Sequence, residues 1–108
     1  MEEIVNVPHT MISLMQLLEQ EQRLIVLDFY AEWCGPCKRI GPEIEKLQST
    51  YFDHIMVQKI DVDQCDDIAA YFKITSMPTF LFIKNKIVVD SVIGANLELI
   101  HQKIAIHK

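Results

Sequence analysis

The sequence predicts an α/β fold, a sheet covered by helices on both faces, and three observations support it. Apolar runs with strand character alternate with segments whose apolar residues recur at helical spacing. The run LIVLDFYA at residues 24–31 is apolar almost throughout, which is typical of a strand buried on both faces. The chain has 108 residues, of which 50% are hydrophobic, enough for one domain over 1–108 with its own core.

The elements are expected in the order βαβαβαββα. Strands are predicted at residues 24–31, 55–62, 79–84 and 87–93, with a short first strand near residues 4–6. Helices are predicted at 10–21, 35–51 and 66–72, and a last helix begins after the N-cap residue Asn96. In the first helix one apolar face carries Met11, Leu14, Met15 and Leu18. The hairpin turn at Asn85-Lys86 lacks glycine, which predicts a looser or longer turn.

Composition and charge exclude several classes of protein. The net charge of −5 argues against a nucleic-acid partner, because phosphate binding requires a basic face. The apolar stretches are far shorter than the roughly 20 residues of a membrane helix. The N-terminal MEEIVNVPH resembles neither a secretory signal nor an arginine-rich transit peptide. We therefore expect a soluble intracellular protein in a reducing compartment, with no membrane contact.

The stretch AEWCGPCKRI at residues 31–40 contains a pair of cysteines at i, i+3. On a helix this spacing places two side chains about 5–6 Å apart, and a disulfide needs α-carbons roughly 4.4–6.8 Å apart. Cys34 and Cys37 can therefore open and close a disulfide with little backbone movement. A closed zinc site would need four ligands, and no second CxxC or spaced histidine pair supplies them. A purely structural disulfide around so short a loop would stabilise the fold little.

The two cysteines should differ in reactivity. Cys34 lies at the expected start of a helix, where unpaired N–H groups and the positive end of the helix dipole stabilise a thiolate. Pro36 suits the first helical turn and stiffens the couple. Cys37 lies one turn further in and should be the more buried. We expect Cys34 to attack a target disulfide and Cys37 to resolve the mixed disulfide.

These motifs together resemble the thioredoxin family. WCGPCK at residues 33–38 is that family's active-site hexapeptide, and DFYAEWCGPCK, IDVDQCDDIA, MPTF and GAN extend the likeness over essentially the whole chain. The resemblance implies the thioredoxin fold, a central five-stranded mixed β-sheet flanked by four α-helices. It implies a protein-disulfide reductase without cofactor or metal, recycled by an NADPH-dependent thioredoxin reductase.

Asp28 interrupts an apolar strand, and the residues alone leave two interpretations open. It is either a buried carboxylate with a raised pKa, suited to accept protons, or an aspartate hydrogen-bonded at a strand end. The resemblance implies the first, with Asp28 assisting proton transfer at Cys37. Lys59 would ordinarily face solvent. The resemblance makes it the partner of Asp28, where its charge would restrain the upward shift of the Asp28 pKa.

The resemblance also implies a substrate-binding surface around the cysteines. Trp33 is either a core residue or, beside the attacking thiol, an apolar rim for docking partners. The backbone of Met77 would pair with an extended substrate chain, and the Met77–Pro78 bond would be cis although most X-Pro bonds are trans. The implied surface comprises Trp33, Gly35, Pro36, Met77, Pro78, Thr79 and Gly94.

Cys65 has two interpretations. The aspartates around it disfavour a thiolate, which favours a small buried residue; these are Asp61, Asp63, Asp66 and Asp67. Cytosolic thioredoxins of animals carry a cysteine at this place that can join a regulatory oxidation. Ser76 replaces a further cysteine that some animal members carry, which argues for a monomer.

The resulting hypothesis is a cytoplasmic protein-disulfide reductase, with entry into the nucleus left open. Its partners would be thioredoxin reductase and protein disulfides such as those of peroxiredoxins. One alternative is an oxidant or isomerase of the same fold, but such relatives usually carry Gly-His or Pro-His between the cysteines. The other alternative is a binding module that uses the fold to hold a partner, which the intact cysteine pair with Asp28 and Pro78 argues against.

Overall fold

The computed structural model describes residues 10–108. The elements are α1 (Met11–Gln20), β1 (Leu24–Tyr30), α2 (Gly35–Thr50), β2 (Ile55–Asp61), α3 (Asp66–Tyr71), β3 (Thr79–Lys84), β4 (Ile87–Ile93) and α4 (Leu97–His107). The four strands in this part of the chain form a mixed sheet in the order β2-β1-β3-β4. β1 is parallel to β2 and antiparallel to β3, and β4 is antiparallel to β3. The fifth strand, predicted near residues 4–6, lies outside the described residues.

The strand β1 is covered on both faces. Residues 24–29 are buried and Tyr30 is half-buried. Leu24 and Val26 belong to the core beneath α2 and α4, whereas Ile25 and Leu27 belong to the core beneath α1 and α3. Burial on both faces explains why the sequence of β1 is nearly all apolar, and it confirms that prediction.

The helices lie close to their predicted bounds and bury their predicted apolar residues wholly or in part, with one exception. In α1, Leu14 and Leu18 are buried, but Met15 is 47% exposed at the edge of the same face. In α4, the side chain of Asn96 accepts a hydrogen bond from the Leu99 N–H, which confirms the predicted N-cap. Among residues 10–108, no helix has the length and apolar character needed to cross a membrane.

The turn between β3 and β4 is tight, so the prediction of a looser or longer turn is wrong. Lys84 pairs directly with Ile87, which leaves two residues in the turn. Asn85 and Lys86 both adopt positive φ, 54° and 68°. Two positive φ angles give the turn the twist that flanking strands require. Strand pairing therefore imposes this conformation even on a lysine.

A buried glutamine attaches α2 to the outer side of β2. The side chain of Gln48 donates from Nε2 to the carbonyl of Ile55 at 3.1 Å and accepts the Val57 N–H at 2.7 Å. Gln48 is 4% exposed, so these bonds satisfy backbone groups that water cannot reach. The amide thus takes the place of a neighbouring strand along this stretch of β2.

Candidate active site

The cysteine pair lies where β1 ends and α2 begins. Cys34 and Cys37 form a disulfide, with α-carbons 5.3 Å apart. Together with Ala31 they form a small buried cluster, against which Tyr30 and Met77 pack. The disulfide therefore lies at the carboxyl end of the central strand, the edge at which open α/β sheets place their functional sites.

The backbone distinguishes the two sulfurs. Cys34 is the N-cap residue of α2, and its Sγ accepts a hydrogen bond from the Cys37 N–H at 3.2 Å. When the disulfide opens, this donor and the helix dipole stabilise a thiolate on Cys34. The helix start therefore supports the prediction that Cys34 is the attacking thiol.

The prediction that Cys37 is more buried than Cys34 is wrong for the disulfide form. Cys34 is 5% exposed and Cys37 is 8% exposed. Cys34 is covered because its Sγ is bonded to Cys37 and lies 3.7 Å from the carbonyl oxygen of Met77. The predicted difference in reactivity between the two cysteines thus rests on their positions in the helix rather than on their exposure.

Asp28 is a buried carboxyl group in the middle of β1. It is 3% exposed, and its Oδ1 accepts no hydrogen bond from the described residues. Burial raises the pKa of Asp28 from 3.8 to about 6, and the positive charge of Lys59 restrains that rise. The orphaned oxygen argues against an aspartate that is simply hydrogen-bonded at a strand end and favours the proton-transfer interpretation.

Lys59 lies opposite Asp28 in the β1–β2 register, as expected of its partner. Its ammonium group, however, lies over the ring of Tyr30, with Nζ 4.8 Å from the ring centroid. The ion pairs within residues 10–108 do not include one between Lys59 and Asp28. Lys59 therefore acts on Asp28 through its electric field rather than through direct contact.

A cleft connects Asp28 with solvent beside Cys37. Its volume is about 260 Å³, and its lining includes Asp28, Cys37 and Lys59 as well as the acidic Glu32 and Glu45. Cys37 and the buried carboxyl of Asp28 therefore share one small space.

Four predicted binding residues meet on the other side of the disulfide. The Met77–Pro78 bond is cis, as predicted. Gly94, with φ of 99°, donates its N–H to the carbonyl of Pro78 at 2.8 Å. The Thr79 hydroxyl donates to the carbonyl of Ser76 at 2.6 Å. These bonds join the loop before β3 to the end of β4, and Met77 of that loop lies against Cys34.

Trp33 is exposed and held in place by a carboxylate. The residue is 67% exposed, which excludes a core role, and its Nε1 donates to Asp63 Oδ2 at 3.0 Å. Gly35 and Pro36, at the first turn of α2, are exposed beside it. Trp33, Gly35 and Pro36 thus complete the rim around the disulfide.

Sequence reasoning missed two residues of this rim. Asp63 was considered only for its charge near Cys65, although it binds the Trp33 indole. Ile93 is 70% exposed and pairs with Thr79, which places it on the surface next to Gly94. Its position directly before Gly94 was the available signal. Asp63 therefore adds a carboxylate beside Trp33, and Ile93 adds an exposed apolar side chain beside Gly94.

Cys65 lies apart from the disulfide. It is 1% exposed and belongs to the core between the sheet and the pair α1 and α3. Burial first, and then the charges of Asp61 and Asp67, raise the pKa of the Cys65 thiol. These features favour the interpretation of Cys65 as a small buried residue.

An α/β sheet with a CxxC disulfide at the start of a helix and a cis-proline beside it defines a thiol–disulfide oxidoreductase of the thioredoxin fold. The family model described as Thioredoxin matches residues 6–105. The chain belongs to the thioredoxin family. Family membership and the Cys34–Cys37 pair together support the function of a protein-disulfide reductase.

Individual relatives agree with this assignment. Thioredoxin-2 of Saccharomyces cerevisiae is 46% identical over 88 residues, which are 82% of this chain and 84% of that protein. Thioredoxin-T of Drosophila melanogaster is 46% identical over 81 residues, 75% of this chain, but the match spans 52% of that protein's length. The crystal structure of Fasciola hepatica thioredoxin superposes with a TM-score of 0.89 at 43% identity, covering 94% of this chain and 98% of that one.

Proposed function

We propose that this protein reduces disulfides of other proteins by exchanging them with its own Cys34–Cys37 dithiol. The observation that carries the proposal is the Cys34 sulfur at the N-cap of α2, where it accepts the Cys37 N–H. That environment lowers the free energy of a thiolate, and the thiolate is the form that attacks a disulfide.

The reaction runs in two exchange steps. In the first, the Cys34 thiolate attacks one sulfur of the target disulfide; a Cys34–target bond forms, and the other target sulfur leaves as a thiolate. In the second, the deprotonated Cys37 attacks the Cys34 sulfur, which closes Cys34–Cys37 and releases the second target thiolate. The target gains two electrons and takes up protons, and the dithiol of this protein is oxidised to the disulfide.

Asp28 is the proposed proton acceptor for the second step. It lines the same cleft as Cys37, and its raised pKa lies close to neutral pH, where a general base is most effective. The Cys37 proton passes to the Asp28 carboxylate and then to solvent through the cleft. Lys59 is the proposed electrostatic partner of Asp28.

Substrates are proposed to dock on the rim around Cys34. An extended segment of the target would pair with the backbone of Met77, next to the cis-proline, while the exposed Trp33 contacts apolar side chains. The proposed substrate-binding residues are Trp33, Gly35, Pro36, Met77, Pro78, Thr79 and Gly94.

The remaining proposals concern the setting in which the protein works. An NADPH-dependent thioredoxin reductase would restore the dithiol, and peroxiredoxins are proposed among the targets. The protein would act in the cytoplasm as a monomer formed by a single domain over 1–108, with a fifth strand near residues 4–6. A regulatory oxidation of Cys65 is a separate proposal. The burial of Cys65 means that such an oxidation would not be a ready one.

Trapping of the mixed disulfide tests the roles of the two cysteines. Cys37→Ser should accumulate a covalent complex with a disulfide-containing protein such as insulin, because the resolving step is blocked. Cys34→Ser should accumulate none, and the control Cys65→Ser should turn over normally. The adducts are measured by intact mass. Trapping through Cys37 in Cys34→Ser, at a rate equal to that of Cys37→Ser, would contradict the proposal.

A further inference from the structure

The ammonium group of Lys59 has two attractive neighbours and contacts one of them. Asp28 and Tyr30 are two residues apart in β1, and side chains at that spacing lie on the same face of the sheet. Lys59 is the cross-strand partner of Asp28, and all three residues line the same cleft. The ammonium lies over the Tyr30 ring, 4.8 Å from the centroid, and not on the carboxylate opposite.

Among residues 10–108, Asp28 lacks the ion pair that a buried carboxylate usually has. A buried charge is ordinarily paired or fully hydrogen-bonded, and a lysine directly opposite could supply the pair. Yet Oδ1 of Asp28 accepts no hydrogen bond within residues 10–108. The negative face of an aromatic ring attracts a cation, and this attraction strengthens as water is excluded. The Tyr30 ring therefore competes with Asp28 for the same cation.

We propose that Tyr30 is a positioning residue whose ring holds the Lys59 ammonium away from Asp28 and so keeps that carboxyl available to accept the Cys37 proton. The inference rests on the proposed function in one respect, the role of Asp28 at Cys37. The geometry that carries it is the cation over the ring, a buried carboxyl with no ion-pair partner among residues 10–108, and the shared cleft.

The consequence is electrostatic. A direct ion pair would favour the ionised carboxyl and lower the pKa of Asp28, which weakens it as a base. With the ammonium over Tyr30, burial dominates and the pKa stays raised. Other titratable groups also face this space, and substitution of Tyr30 leaves them in place: Glu32 after β1, Cys37, Lys38 and Glu45 on α2, and Asp61 at the end of β2.

The test is a titration of the Asp28 carboxyl carbon by NMR in wild type, Tyr30→Leu and Tyr30→Phe. Tyr30→Leu removes the ring, so Lys59 can turn to Asp28, and the titration midpoint should fall by about half a pH unit or more. Tyr30→Phe keeps the ring face and should leave the midpoint unchanged. A midpoint in Tyr30→Leu equal to or above that of wild type would overturn the proposal.

The same substitutions in a Lys59→Met background separate the effect of the Lys59 charge on the Asp28 midpoint from the effect of water entry. A smaller side chain at position 30 also admits water to Asp28, which lowers the midpoint by itself. The proposal requires a clearly smaller shift on Tyr30→Leu when the ammonium is absent. Equal shifts in the two backgrounds would overturn it, because the ring would then act only by excluding water.

A measurement on the unsubstituted protein guards against a folding defect in Tyr30→Leu. The Lys59 Hε protons should resonate upfield of their usual position, because they lie over an aromatic ring, and the shift should vanish in Tyr30→Leu. Unshifted Hε protons in wild type would refute the contact. None of these readouts depends on turnover. An Asp28→Asn variant with full activity would therefore rule out the proposed role of Asp28 but would not decide the position of Lys59.

Discussion

At the scale of single residues, the proposed chemistry depends on a few ionisable groups whose surroundings shift their protonation equilibria. Cys34 receives a backbone N–H that stabilises negative charge on sulfur. Asp28 is buried in a strand of apolar residues, and its pKa rises to about 6 as a result. The surroundings thus favour a thiolate at Cys34, and they give Asp28 a pKa just below neutral pH, so that its carboxylate form predominates there and can accept a proton. The proposed transfer of a proton from Cys37 to Asp28 is suited to neutral pH for that reason.

Asp28→Asn should slow the release of reduced target at neutral pH. The asparagine amide cannot accept the Cys37 proton, so the second exchange step loses its base. We expect a loss of roughly tenfold to a hundredfold, at or below the low end for general-base catalysis, because water in the cleft can substitute in part. The measurement is the pH profile of single-turnover reduction of insulin.

In wild type, that profile should show an inflection near the Asp28 pKa of about 6, and Asp28→Asn should lack it. Asp53→Asn, a change at an exposed aspartate, serves as the matched control and should behave as wild type. An unchanged profile in Asp28→Asn would exclude this carboxyl as the proton acceptor.

At the scale of secondary-structure elements, α2 connects the site with the sheet. Its first turn carries the disulfide, and Gln48 near its other end binds the backbone of β2. The position of the cysteines relative to Asp28 and Met77 therefore depends on how firmly α2 is attached to the sheet.

Gln48→Leu should destabilise the fold by about 2–4 kcal/mol, because it leaves the Ile55 carbonyl and the Val57 N–H buried without partners. Urea unfolding followed by circular dichroism measures the change. The control is Gln16→Leu at an exposed position of α1, which should change stability by less than about 0.5 kcal/mol. A Gln48→Leu variant as stable as this control would show that water reaches those backbone groups.

Local patterns predicted the elements well, and long-range contacts account for the errors. The apolar run of β1 and the cap at Asn96 were readable because they depend on neighbours in sequence. The turn at Asn85-Lys86 was misjudged because the pairing of two whole strands, rather than residue preference, sets its φ angles. Met15 was misjudged because helical spacing gives a face but not what covers it.

In the active site, too, the sequence predicted local features but not long-range contacts. The spacing of Cys34 and Cys37 predicted a disulfide from sequence. No local pattern shows that Asp63 binds the Trp33 indole or that Lys59 lies over Tyr30, since each contact joins residues about 30 apart in the chain. The equal burial of the two cysteines depends on the Met77 carbonyl, which a distant loop supplies.

At the scale of the whole molecule, the buried carboxyl costs stability that the apolar cores offset. The folded state holds the Asp28 proton more tightly than the unfolded chain does, because its pKa rises from 3.8 to about 6. The folded state therefore binds more protons between these values, and stability falls as pH rises through them. Above that range the destabilisation is complete.

Asp28→Asn should accordingly be more stable than wild type at pH 8, by up to about 3 kcal/mol, and should show little gain at about pH 4. The reason is that asparagine carries no charge to bury at either pH. Urea unfolding at the two pH values measures the difference. A gain of equal size at both would show that packing, and not ionisation of Asp28, is responsible.

The reduction potential of the Cys34–Cys37 couple tests the central claim, reduction of protein disulfides, most directly. The protein is equilibrated in buffers with increasing ratios of reduced to oxidised glutathione, and its free thiols are then alkylated and counted by mass. The Cys65→Ser variant is included so that only the Cys34–Cys37 pair titrates. We expect a couple more reducing than the glutathione buffer. A couple on the oxidising side of glutathione would contradict the claim and indicate an oxidant or isomerase, and a pair that does not titrate would indicate a binding module.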